Sequence, residues 1–187
     1  MQPADRAKPW IAALEPYQPG KPVEELEREL GIGDAVKLAS NENPLGPSPQ
    51  VLEALQAQFA GLARYPDGNG FALKAALAAR LGVPAQNITL GNGSNDVLEL
   101  VARAFLTPRC AAVFSAHAFA VYPLVTQAIG ARANVAAAHD GSRGQKYAHD
   151  LDAMLAAIDA DTRVVFIANP NNPTGTWLAE RELRAFV

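Results

Sequence analysis

The stretch Val164-Val165-Phe166-Ile167-Ala168-Asn169-Pro170-Asn171-Asn172-Pro173-Thr174-Gly175-Thr176 decides how the chain is read. Val164–Ala168 is an unbroken apolar run, β-branched and aromatic, of the length of a buried strand. The residues after it cannot continue a strand or start a helix. Two X-Pro bonds within four residues stiffen the segment and exclude regular structure. A stiff polar loop at the carboxyl end of a buried strand is where open α/β sheets bind ligands. The prolines fix where Asn172 points, and an amide held there can donate to a phenolate oxygen. A plain Pro/Asn turn is the alternative, but the loop is more elaborate than a connection requires.

Working outward, the pattern repeats. Strands are predicted at Ile88–Leu90, Ala111–Phe114 and Ala133–Ala137. Between and after them the apolar spacing predicts helices from near Ser94, over about Phe119–Ile129 with Pro123 in the first turn, over Leu151–Ile158, and from near Ala179. Upstream, Ser48 and Pro49 start a helix with the stripe Val51, Leu52, Leu55 and Phe59. Another runs over about Phe71–Leu81, stopped by Gly82 and Pro84. Strands alternating with helices in this way predict an α/β fold with a mainly parallel sheet flanked by helices. Residues 1–47 are rich in Pro and Gly, with one helical stretch at Val23–Leu30, and read as an arm that packs on something else. Residues 48–187 read as the main domain. The pattern stops at Val187 inside a helix, with no cap or breaker, which reads as a truncation.

Composition removes several function classes. Of 187 residues, 49% are hydrophobic and 19% charged, the balance of a folded chain rather than a disordered one. With 16 Lys+Arg against 19 Asp+Glu the net charge is −3, so no chain-wide cationic field for nucleic acid exists. The uncharged run Cys110–Ala131 is long enough to cross a bilayer, but its His117, Pro123, Gln127 and Gly130 divide it into strand, loop and helix, so no membrane span is expected. Asp5, Arg6 and Lys8 precede any apolar stretch, unlike a signal peptide. A lone cysteine, Cys110, forms no internal disulfide and points to a reducing compartment, the cytoplasm. No Cys/His cluster has metal-ligand spacing, and His117, His139 and His149 are too scattered to make one.

Three further stretches can carry chemistry. Gly91-Asn92-Gly93-Ser94-Asn95-Asp96 follows a strand and opens a helix. Its glycines let a ligand approach the backbone, and the N–H groups of Ser94, Asn95 and Asp96 would face an anion such as phosphate. Taken alone, it reads first as an ordinary βα turn with a Ser cap. It is neither the dinucleotide fingerprint nor a P-loop. Phe119, after the strand at 111–114, can stack on a flat heterocycle, though a core aromatic is the simpler reading. Arg64-Tyr65-Pro66-Asp67 is a polar loop with an exposed phenol, or a plain turn.

Together these segments resemble the fold type I, pyridoxal-phosphate-dependent aminotransferases, from about Pro16 to Val187. Asn172-Pro173-Thr174-Gly175 is shared across that superfamily. Pro16-Tyr17-Gln18-Pro19-Gly20-Lys21-Pro22, Ser40-Asn41-Glu42-Asn43-Pro44-Leu45-Gly46-Pro47 and Arg64-Tyr65-Pro66-Asp67 are similar to its histidinol-phosphate subgroup. The resemblance implies an arm followed by part of the large domain that binds pyridoxal 5'-phosphate. By position, Ser94, Asn95 and Asp96 would cradle the cofactor phosphate, Phe119 would stack on the ring, and Asn172 would bond the ring oxygen. Tyr65 would reach the cofactor phosphate of a neighbouring subunit in a homodimer. Tyr17, with Asn172, would lie beside the substrate. Ala116-His117-Ala118 departs from the Pro-Thr common before the stacking aromatic. The implied activity is transamination of histidinol phosphate with 2-oxoglutarate, glutamate being the amino partner, in histidine biosynthesis. Another class I/II aminotransferase, an amino-acid-phosphate decarboxylase, or a non-catalytic α/β binding protein are the alternatives. The resemblance also implies that no catalytic residue lies in this chain. The family's Schiff-base lysine, ring-nitrogen aspartate and carboxylate-binding arginine would follow it, and none of Lys8, Lys21, Lys37, Lys74 and Lys146 has the expected context.

Overall fold

Ala111–Ser115 (β1) alternates Ala112 and Phe114 to one side with Val113 to the other, and all five residues are buried. A strand buried on both faces needs a neighbour along each edge and a helical layer on each face. The computed structural model, which describes residues 6–187, supplies both; Asp5 lies outside the described residues. Arg132–Ala136 (β2) and Thr162–Val165 (β3) flank β1 in the order β2-β1-β3, and both pairings are parallel. A register shift between Ala111 and Ala112 separates the pairing of Ala111 with Thr162 from that of Ala112 with Val164.

The chain folds as two compact units, residues 18–90, and residues 91–187 together with the segment up to Tyr17. The sheet belongs to the second. Pro9–Ala12 (α1) is a single turn that sequence periodicity is too short to reveal. In the sheet-bearing unit, one core joins Ala112 and Phe114 to Ala102 of Ser94–Phe105 (α5) and to Val121, Tyr122 and Val125 of Val121–Ile129 (α6). The opposite core joins Val113 and Ala136 to Met154 of Leu151–Ala156 (α7), with Phe186 of Glu180–Phe186 (α8) packed against it. Asp150 caps α7 through the Ala153 N–H at 3.0 Å.

In the other unit, Val23–Leu30 (α2), Pro49–Gln58 (α3) and Phe71–Leu81 (α4) carry no buried residue. Ser48 accepts from the Val51 N–H at the start of α3. Asp67 accepts from the N–H groups of Asn69 and Phe71, which holds the turn before α4 and draws its carboxyl below the usual range. Ile88–Leu90 is not a strand, because nothing among the described residues pairs with it. The helix expected from Phe119 begins at Val121: Ala118 and Tyr122 donate to Ser115 and Phe119 carbonyls in turns, so Phe119 stays on the loop. The strand expected at 164–168 pairs over 162–165, with one further bond from the Phe166 N–H to the Val113 carbonyl at 2.8 Å. No helix of the described residues is long and apolar enough to cross a membrane.

Gly130 ends α6 with φ 82°. A Cβ there would meet the Trp10 ring at 2.7 Å. Gln127 Nε2 donates to the Trp10 carbonyl at 3.2 Å, so the ring cannot easily withdraw. Gly130→Ala is expected to destabilise the fold by about 1–3 kcal/mol, the range for a non-glycine residue forced into the left-handed region. Chemical denaturation of the paired proteins measures it.

Candidate functional site

A crevice of about 450 Å³ opens where the segments after β1 and β3 meet the N-terminus of α5, lined by Ser94, Val97, Leu98, Phe119, Tyr122, Ala168 and Asn172. Three of the residues singled out from sequence therefore share one wall. Ser94 arrives on the first turn of α5. Among the described residues, the N–H groups of Ser94, Asn95 and Asp96 have no backbone or side-chain acceptor, as the first turn of a helix requires. Of the three residues only Ser94 lines the crevice, while Asn95 and Asp96 do not; an unclaimed start of a twelve-residue helix is the kind of place that can hold an anion.

The glycines of this turn do different things. Gly91 must be small: an added Cβ would lie 2.9 Å from both Asp96 Oδ2 and Val97 Cγ2. Gly93 takes φ 80° with open space where a Cβ would point. The Asp96 carboxylate turns back and accepts from the Asn92 N–H at 3.0 Å. Asp96 thus braces the loop with its side chain, and only its backbone N–H is available to an anion.

Phe119 is held edge-on by Tyr122, with ring centroids 5.9 Å apart at 89°. Tyr122 stacks in turn on Phe166 at 4.6 Å and 8°. The result is a rigid aromatic block whose outer member faces the crevice. Burial pushes the Tyr122 phenol above its ordinary value. Tyr122 also lines the crevice and was not a candidate from sequence. Its position three residues after Phe119 is the signal that could have found it.

The loop after β3 is built on three asparagines. Asn169 closes the base: its Oδ1 accepts from the Leu178 N–H at 2.8 Å and its Nδ2 donates to the Leu178 carbonyl at 3.0 Å. Asn171, only 3% exposed, donates from Nδ2 to the His117 carbonyl at 2.9 Å and to Thr174 Oγ1 at 2.8 Å. Thr174 Oγ1 also accepts from the Thr176 N–H, so its own hydrogen goes to Thr176 Oγ1 at 2.8 Å. Asn171 Oδ1 is buried with no partner, a burden of about 1–3 kcal/mol. Asn172 is the one of the three that lines the crevice. The Asn169–Pro170 and Asn172–Pro173 bonds are both cis.

Tyr17 is 56% exposed and does not line the crevice, and Tyr65, in the other unit, is fully exposed. A second cleft, of about 480 Å³, includes His139, Asp150, Asp152, Trp177, Glu182 and Phe186 among its lining residues. Its carboxylates repel an anion, and two are already engaged: Asp150 caps α7 and Glu182 accepts from the Ala179 N–H at 2.7 Å. No cluster of three or more metal-ligating side chains exists among the described residues.

The aminotransferase class I and II family model matches residues 33–187. The chain belongs to the class I and II aminotransferases. It is 62% identical over 181 residues to histidinol-phosphate aminotransferase 2 of Methylococcus capsulatus, covering 97% of this chain and 49% of that protein. It is 61% identical over 183 residues to the Pseudomonas aeruginosa protein of the same name, covering 97% and 48%. The chain thus spans about half the length of the curated relatives it matches. Among solved structures, histidinol-phosphate aminotransferase from Sinorhizobium meliloti, in complex with pyridoxal-5'-phosphate, superposes with a TM-score of 0.82 at 30% identity, over 97% of this chain and 47% of that one. For this aminotransferase chain, the α/β fold with a parallel sheet read from sequence is the fold observed.

His149 braces the crevice from behind. It is 3% exposed, and its Nε2 lies 3.0 Å from the carbonyl of Ala168, which can only accept. The proton therefore sits on Nε2, leaving a buried, unpartnered Nδ1 lone pair. Protonating Nδ1 would bury an unanswered N–H and a charge, so burial lowers the pKa from 6.5. A histidine with a depressed folded value binds fewer protons folded than unfolded, so its contribution to stability is lost as pH falls below about 6.5. His149→Gln keeps a donor toward Ala168 and does not titrate. Thermal unfolding from pH 7.5 to 5 is expected to fall less steeply for H149Q than for the wild type.

Proposed function

We propose that this chain forms the phosphate-and-ring half of a pyridoxal 5'-phosphate site in an enzyme that transfers the amino group between histidinol phosphate and the glutamate/2-oxoglutarate pair. The observation that carries the reading is the crevice itself: an acceptor-free helix start, an aromatic face and a loop amide within about 450 Å³. The names of the relatives support the substrate. The single cysteine supports a cytoplasmic setting.

The residues present fit that cofactor. Three unclaimed N–H groups from Ser94, Asn95 and Asp96 suit a phosphate, and the open space at Gly93 leaves room for it. Phe119, stiffened by Tyr122 and Phe166, offers a flat face to a heterocycle. Asn172 supplies an amide donor for a ring oxygen. When bound, pyridoxal phosphate supplies an electron-withdrawing ring that makes a proton on the substrate's α-carbon removable. This chain's task is then positional. The helix start anchors the dianion, Phe119 fixes the ring plane, and Asn172 keeps the ring oxygen ionised by donating to it. Tyr122 and Phe119 keep water from one face.

In the same reading, residues 1–47 are an arm and the start of a smaller domain, and residues 48–187 belong to the large cofactor-binding domain. Tyr17 borders the substrate. The enzyme is a homodimer in which Tyr65 reaches the phosphate of the opposite subunit's cofactor. The Schiff-base lysine lies outside these 187 residues, and none of the crevice's lining residues is a lysine.

Two measurements test this. In the intact enzyme, Asn172→Ala is expected to raise the pKa of the bound cofactor's phenol by about 1–2 units. A hydrogen bond to a charged group is worth about 1.5–3 kcal/mol, and one unit corresponds to about 1.4 kcal/mol. An unchanged absorption titration would remove Asn172 from the site. The 187-residue chain alone, mixed with pyridoxal phosphate, is expected to show no turnover of histidinol phosphate. Turnover would mean that one of the five lysines present does the family's work.

A further inference from the structure

We propose that Asn171 is a positioning residue that sets the gap between Phe119 and Asn172, and so the fit of the ring between them. The inference rests on the cofactor reading above. Asn171 does not line the crevice, yet it is the side-chain link between the two loops that do. Its Nδ2 donates at 2.9 Å to the carbonyl of His117, two residues before Phe119, while its own backbone is the residue next to Asn172. Each end of this tie is one or two residues from a group facing the ring.

The tie is rigid at both ends. The Asn171 N–H donates to the Thr176 carbonyl at 2.7 Å, and the Gly175 N–H donates to the Asn171 carbonyl at 2.8 Å, so the residue cannot swing within its loop. Its second amide hydrogen is taken by Thr174 at 2.8 Å, which fixes the orientation of the amide plane. On the other side, the Ala118 N–H bonds the Ser115 carbonyl at 3.1 Å, so the 117–119 turn is anchored to the end of β1. A buried amide with an unpartnered oxygen is a poor way to fill space, since a leucine has the same γ-branched outline and no orphan atom. What leucine lacks is the donor to His117. The structure therefore assigns the residue a task of distance-keeping between loops rather than of packing.

The test uses the intact enzyme loaded with pyridoxal phosphate. Asn171→Leu keeps the γ-branched outline, adds some bulk and removes the donor. It is expected to weaken cofactor binding by about tenfold and to move the cofactor phenol's absorption titration in the direction N172A moves it. The N171L/N172A double variant is expected to titrate like N172A alone, because a misplaced Asn172 and an absent one leave the same gap. Asn171→Ala must shift the titration the same way, and reads the effect if N171L fails to accumulate. A folded N171L or N171A enzyme that binds and titrates like the wild type, while N172A shifts, overturns this proposal and leaves the cofactor reading standing. Additive shifts in the double variant overturn it as well. If N172A itself leaves the titration unchanged, both readings fall.

Discussion

Burial of β1 on both faces is the constraint from which the rest follows. Val113 and Phe114 send their side chains into different cores, so helices must cover both sides of the sheet. No ligand can then approach a face. What remains open is the edge beyond the carboxyl ends of the strands, and the crevice lies there because it is the place where backbone leaves the ladder. The loops that carry Phe119 and Asn172 both depart from this edge, and β1 fixes the spacing of their roots through its pairing with β3.

Much of this was legible in the sequence because the signals were local and redundant. Ser48 followed by Pro49, and Leu81 followed by Gly82, bound their helices where capping chemistry puts them. The run Val164–Ala168 announced a strand because it had no polar residue to alternate with. Ile88–Leu90 misled because a short apolar–polar–apolar alternation satisfies a pattern test, but a strand is a pairing, and its partner cannot be read from one segment. The start of α6 slipped by two residues because the turn bonds at Ala118 and Tyr122 compete with helix formation, and composition does not register them.

The crevice divides along a similar line. Ser94, Phe119 and Asn172 were accessible from sequence because each sits at a strand–loop or loop–helix junction, where function concentrates. Tyr122 and Asn171 were not, since their importance lies in what they touch. Tyr122 matters as the surface against which Phe119 is braced, and Asn171 as a bond to a backbone carbonyl 54 positions away. Every residue type carries the same backbone acceptor, so a bond of this kind leaves no trace in the amino-acid sequence. The Asp96 side chain shows the converse: its presence in the loop was evident, but its use as an internal brace rather than a ligand group depends on the direction it turns.

The segment from Asn169 to Leu178 returns on itself, with one asparagine gripping both the donor and the acceptor of the residue nine positions later. A decapeptide closed by its own side chains carries its shape within its own letters. Beyond its own bonds, its side chains ask of the rest of the fold the one carbonyl of His117 that Asn171 grips. Substitutions inside these ten residues would then disturb a whole closed shape, whereas substitutions just outside them would leave that shape intact.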